Sequence, residues 1–255
     1  MRAKLAGRSR AYGVFCEVPA PEAVEIAGIA GWDFVIIDCE HAPITAHSLP
    51  AMVRAAETAG IAAVVRVASN EESAIQHALD AGAAGVQIPQ IASVEAARKA
   101  IQAARFHPLG KRGLNPFVRA AKFSAMPVGD FLRRSNEEVA LILQIESAEG
   151  IAAAADILEL DGVDVLFVGP YDLSQSLGDP GDVSNPRVFE AGAALAGRAE
   201  ARGVAVGVFA NTEDDARRWL EAGVRYLCYS VDSVILLNAM RQAAASIRGL
   251  CPPRS

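Results

Sequence analysis

Six times along this chain a helix-like segment rich in Ala and Leu gives way, across a glycine, to a short apolar run. The joins are AGWDFVIID at Gly31, AGIAAVVRV at Gly60, AGAAGVQIP at Gly82, LDGVDVLFVG at Gly162, ARGVAVGVFA at Gly203 and AGVRYLCYS at Gly223. Glycine after a helix suits the left-handed position just past its end, which costs other residues more. The preceding segments, such as AHSLPAMVRAAETA, NEESAIQHALDA and EDDARRWLEA, mix apolar residues and charges at helical spacing. Asn70 with Ser73, and Thr212 before Glu213-Asp214-Asp215, read as helix starts. The apolar runs are near-continuous, the pattern of a parallel strand buried on both faces.

Counting the runs gives AYGVFCEV, DFVIIDC, AAVVRV, GVQIP, VALILQIE, VDVLFVG, VAVGVFA and YLCYS. Eight parallel strands alternating with helices in 255 residues match a TIM (β/α)8 barrel. A doubly wound sheet is the rival, but no GxGxxG follows the first strand. No linker rich in Pro, Ser or charge divides the chain, so residues 1–255 are expected to form a single domain. The longest irregular stretch, HPLGKRGLNPFVRAAKFSAMPVGDFLRRSNEE, falls between strands four and five. Its basic residues Lys111, Arg112, Arg119, Lys122, Arg133 and Arg134 suit either an anionic substrate or solvated charge and subunit contact.

A net charge of -6 argues against nucleic acid as the main partner. No apolar stretch reaches membrane-spanning length, and the basic amino terminus has no signal-peptide core. Cys16, Cys39, Cys228 and Cys251 lack CxxC spacing, so reduced thiols in a cytoplasmic protein are the plain expectation.

In a barrel, chemistry gathers at the carboxyl ends of the strands. Strand two ends in Asp38-Cys39-Glu40-His41, strand three carries Arg66, and strand four carries Gln87 and runs into Pro89-Gln90. Strand five ends with Gln144 and Glu146, and strand six runs into Gly169-Pro170-Tyr171-Asp172. Asp38 or Glu40 alone suits a helix cap, and His41 alone suits a satisfied loop histidine. Arg66 lies inside an apolar strand and must find an anion, either a ligand or a neighbouring acid. Glu146 and Asp172 are the strongest pair. Two acids aimed at one crevice repel unless a cation sits between them, or unless each meets its own Arg. The turn at Gly169-Pro170 and the helix start at Asp172-Leu173-Ser174 suit a carboxylate or phosphate.

Together these motifs resemble the HpcH/HpaI aldolase family, the metal-dependent (class II) pyruvate aldolases on a TIM barrel. The resemblance rests on DFVIIDCEHAP (33–43), VVRV (64–67), ALDAGAAGVQIPQI (78–91), HPLGKRGL (107–114), LQIESAEGI (143–151) and FVGPYDLSQSLG (167–178), in order along nearly the whole chain. It implies that Glu146 and Asp172 ligate a divalent Mg, Mn or Co ion, with water and a 2-oxo acid completing the shell. It implies that Arg66 contacts the keto oxygen and stabilises an enolate. His41 would belong to the acid/base machinery, with Asp80 as its acidic partner. Asp38 and Glu40 would surround the metal and its waters, and Gln144 would lie beside the oxo acid. The backbone from Gly169 through Pro170 and Tyr171 to Asp172 would hold the pyruvate carboxylate. The implied reaction is reversible cleavage of a 4-hydroxy-2-oxo acid to pyruvate and an aldehyde. The implied assembly is a homo-oligomer, a hexamer, with the last helix (233–248) packing on a neighbour.

Three places depart from the family pattern. Cys39 stands where Gly is common, Tyr171 where relatives often carry a small residue, and Asn115-Pro116-Phe117 replaces smaller residues in the long loop. Two other readings compete. A citramalyl or malyl-CoA-type ester lyase needs a basic nucleotide surface, which only residues 105–134 offer. A non-catalytic oxo-acid-binding barrel has no reason to keep buried charges together. A Schiff-base aldolase is disfavoured, since Lys4, Lys99, Lys111 and Lys122 all fall outside the expected strands.

Overall fold

The computed structural model describes residues 2–250, so Cys251 lies outside the described residues. Eight parallel strands close into one barrel in chain order. They are β1 (Ala11–Cys16), β2 (Phe34–Asp38), β3 (Ala62–Arg66), β4 (Gly85–Ile88), β5 (Ala140–Ile145), β6 (Val165–Val168), β7 (Ala205–Ala210) and β8 (Tyr226–Val231). Among the described residues the eleven α-helices include α1 (Arg2–Ala6), α2 (Pro21–Ile29), α3 (Leu49–Thr58), α4 (Glu72–Asp80), α5 (Val94–Ala104), α6 (Val128–Glu138) and α7 (Ala148–Ile157). After them come α8 (Pro170–Ser176), α9 (Pro186–Ala201), α10 (Glu213–Glu221) and α11 (Asp232–Leu250). The expected TIM barrel is the observed one.

Local chemistry explains the joins. Gly31 and Gly223, each between a helix and the next strand, hold φ of +95° and +96°. Such values strain any residue with a Cβ. Thr212 caps α10 as expected, its hydroxyl accepting the Asp215 N–H at 3.1 Å. Asn70 does not cap α4. That helix starts one residue later, after Glu71, and the Asn70 amide instead donates to the Ala96 carbonyl at 2.9 Å. The long loop is also less irregular than its composition suggests. Its last third is α6, laced by Arg133–Glu137 and Arg134–Glu138 pairs one turn apart, each at 2.9 Å.

Successive strand residues feed two cores. Val35, Ile37, Val65, Val86, Ile88 and Leu143 pack outward against the helices. Phe34, Ile36, Val64, Ile142, Phe167 and Tyr226 fill the barrel itself, with Phe34 and Tyr226 stacked at 4.2 Å between ring centres. Leu5 of α1 joins this interior cluster and plugs the amino-terminal end. Arg2 and the fully buried Arg105 both grip Asp164 at 2.6 Å beneath it. With that end closed, the barrel interior opens at its carboxyl end. Among the described residues no helix is long and apolar enough to cross a membrane.

Candidate active site

Barrel closure sets which strand-end groups meet. Asp38 is the last residue of β2, and in register with it stands Arg66, the last of β3. Arg66 Nε donates to Asp38 Oδ1 at 2.9 Å and Nη2 to Oδ2 at 2.7 Å. Asp38 is 0% exposed and Arg66 8%. A planar guanidinium is the side chain suited to such a two-point grip on a carboxylate. The third nitrogen, Nη1, lies 3.3 Å from Glu40 Oε2, and the guanidinium covers the Phe15 ring at 4.7 Å. The anion that Arg66 requires is therefore first of all Asp38. Asp38 Oδ1 also accepts the Glu40 N–H at 2.9 Å, so its oxygens face protein donors. Burial pushes the Glu40 carboxyl above its ordinary range, Arg66 pulls it back, and Glu146 pushes it up again. His41 Nε2 stands 3.8 Å from Glu40 Oε2 with its side chain 65% exposed at the cavity edge.

Glu146 lies just past β5 and is 7% exposed. Its Oε1 accepts the Gln90 N–H at 2.7 Å, an N–H aimed there by a left-handed backbone at Gln90 (φ 59°). Its Oε2 accepts from the Gln144 amide. Burial raises the Glu146 carboxyl above its ordinary value; the Gln144 and Gln90 bonds oppose the rise, and the Asp172 charge adds to it. Across from Glu146 the end of β6 passes so close that a Cβ on Gly169 would sit 2.8 Å from Oε2. Only glycine allows that approach; α8 begins after it, and Asp172, in the first turn, lines the same cavity as Gly169. The Gly169 N–H is taken by the Ile145 carbonyl at 3.1 Å, and Pro170 has none. The free donors of this turn are the Tyr171 and Asp172 N–H groups, as at any helix start.

A cavity of about 290 Å³ at this end is lined by His41, Arg66, Gln144, Gly169, Pro170, Tyr171 and Asp172. Phe15, Phe167 and Phe209 form its apolar wall, and Glu17 completes it. Glu17 was legible in the sequence, since the run AYGVFC, like those of β2 and β5, leads into an acid. Burial raises its carboxyl, as do the charges of Asp38 and Asp232, against Arg66 and His41.

Asp80 is not brought to this place within the chain. It ends α4, next to the start of β4 at the opposite end of the barrel, and binds Arg112 at 2.7 Å. The basic loop is spent on pairs as well: Arg119 with Glu57, Arg133 with Glu137 and Arg134 with Glu138.

Among the described residues no group of three or more His, Cys, Asp or Glu is placed to hold a metal ion. A cation held by Glu146 and Asp172 would have to take its remaining ligands from solvent or substrate. The donor set fits a hard divalent ion, because both groups are carboxylates and the charge of one disfavours ionisation of the other.

Residues 11–239 match the model of the HpcH/HpaI aldolase/citrate lyase family. A hydroxypyruvate/pyruvate aldolase of Delftia acidovorans is 36% identical over 239 residues, 93% of this chain and 87% of its own length. A 5-keto-4-deoxy-D-glucarate aldolase of an Enterobacter species is 34% identical over 247 residues, 97% of this chain and 96% of its own. A crystal structure of a family protein from Burkholderia cenocepacia superposes with a TM-score of 0.91 at 38% identity, covering 97% of this chain and 98% of that one. The chain thus belongs to the HpcH/HpaI aldolase/citrate lyase family and is an enzyme of the carbon–carbon lyase class.

Proposed function

We propose that this chain is a divalent-metal-dependent aldolase that reversibly cleaves a 4-hydroxy-2-oxo acid to pyruvate and an aldehyde. One observation carries the reading: Glu146 packs against Gly169 and feels the charge of Asp172, and Gly169 and Asp172 line the same cavity as Arg66. Glu146 and Asp172 would hold Mg, Mn or Co. The bound ion supplies Lewis-acid polarisation of the keto group and a template for the oxo acid. Arg66 contributes a fixed positive charge toward the enolate oxygen, and Asp38 positions it by taking two of its three nitrogens. The free N–H groups of Tyr171 and Asp172 receive the carboxylate, beside the Gln144 amide. His41, exposed at the cavity edge where a second substrate would enter, takes the proton of the 4-hydroxyl in cleavage and returns it in synthesis.

Asp80 stays in the proposal as the partner of His41 only between copies, since one chain places them at opposite barrel ends. A homo-oligomer is favoured by α11, which has no buried residue and exposes Leu236, Leu237 and Met240. A hexamer in the cytoplasm completes the reading, in keeping with free thiols at Cys16, Cys39 and Cys228. The CoA-ester alternative is weakened, because four arginines of its expected nucleotide surface are paired with acids.

The test strips the protein of metal and offers pyruvate with glycolaldehyde, glyceraldehyde or succinic semialdehyde, with and without Mn. Condensation that needs Mn, is lost in Glu146→Gln and Asp172→Asn together with Mn binding, and is slowed about 10²–10³-fold in Arg66→Ala with Mn still bound, is the expected outcome. Full Mn affinity and rate in Asp172→Asn would refute the ligand pair.

A further inference from the structure

We propose that Gln87, which the reaction scheme does not use, is a positioning residue that decides which face of the Gln144 amide the substrate meets. The inference rests on the aldolase reading. Its neighbours Val86 and Ile88 pack outward against the helices, so strand alternation turns Gln87 into the barrel. There it is 0% exposed, in register with Arg66 on one side and Ile142 on the other.

The direction of the chain of amides follows from its last member. An ionised carboxylate only accepts hydrogen bonds, so Gln144 must turn its NH2 toward Glu146 Oε2. The Gln144 carbonyl then faces away and needs a donor. Gln87 Nε2 supplies it at 2.5 Å. That choice leaves Gln87 Oε1 buried with no hydrogen-bond partner among the described residues. An orphaned acceptor is a cost that Met or Leu in the same volume would avoid. The cost is offset by what the bond to Gln144 secures. With its oxygen pinned, Gln144 keeps one N–H on Glu146 and holds the other beside Gly169, whose Cβ, if it had one, would lie 3.5 Å from Nε2. A donor is thereby fixed on the wall of the cavity where the 2-oxo acid binds. Without Gln87 the amide is free to rotate, and its oxygen competes for that place.

The experiment is a double-mutant cycle of Gln87→Met and Gln144→Met, read three ways: pyruvate kinetics, Mn affinity by calorimetry, and thermal midpoint. Gln87→Met is expected to raise KM for pyruvate about tenfold and weaken Mn binding by a similar factor. Its thermal midpoint should be unchanged or higher. In the Gln144→Met background the same substitution should change either quantity by less than about twofold, because Gln87 acts only through Gln144. Equal losses in both backgrounds, or no loss in either, would overturn the proposal. A wild-type chain that exchanges no pyruvate methyl protons in the presence of Mn sinks the aldolase reading instead; the cycle is then decided on Mn affinity.

Discussion

Asp38→Asn is the sharpest perturbation of the site, because the structure specifies both what is lost and what remains. In the native chain the carboxylate meets Arg66 at 2.9 and 2.7 Å, with both partners buried. The amide keeps one acceptor for Nε and turns an NH2 toward Nη2, so a charge-assisted bond becomes a donor facing a donor. Breaking a buried pair by altering one partner costs about 3–5 kcal/mol, since the other charge stays buried. Glu40 at 3.3 Å and the Phe15 ring still compensate Arg66 in part, which places the expected loss near the lower end. About 3 kcal/mol, at roughly 2–4 °C per kcal/mol for a chain of this size, lowers Tm by roughly 6–12 °C. Calorimetry or circular dichroism at pH 7 measures it. The double variant Asp38→Leu/Arg66→Met removes both charges and should recover most of the loss, although it is inactive. A midpoint within about 2 °C of wild type for Asp38→Asn, or a double variant less stable than the single one, refutes the account of Asp38 as the buried counter-charge of Arg66.

Two further outcomes are expected. Glu17 has a carboxyl raised above its ordinary value of 4.5 by burial and by its acidic neighbours, so its contribution to stability is full below that value and is lost as pH rises through the raised one. Glu17→Gln should therefore raise Tm at neutral pH and lose its advantage in acid; an advantage that persists unchanged at about pH 3 contradicts the assignment. Replacing Leu236, Leu237 and Met240 on α11 by Ser should shift the species seen by light scattering to a smaller one, whereas an unchanged mass removes that helix from the interface.

The barrel was legible because its signals are local. Apolar runs, helical spacing and a glycine at six helix-to-strand joins are signals between near neighbours in sequence, and Thr212 and Gly223 behave as those neighbours dictate. The misreadings are equally local: Asn70 gives up its cap for a carbonyl on α5, and α6 hides in a loop because charge pairs one turn apart hold a polar helix. Arg66 announced a need for an anion, but whether Asp38 or a ligand meets it depends on the register of β2 with β3.

Sequence alone determined that acids, an arginine and a histidine would stand at the carboxyl ends of eight parallel strands, since period and punctuation are properties of the chain. Tertiary structure alone decided their company. Closure of β8 on β1 brings Glu17 into the cavity, the turn at Gly169 brings Asp172 into it, and the descent of α4 carries Asp80 to the far end. Electrostatic partners are chosen by distance in space, and that distance exists only once the barrel has closed.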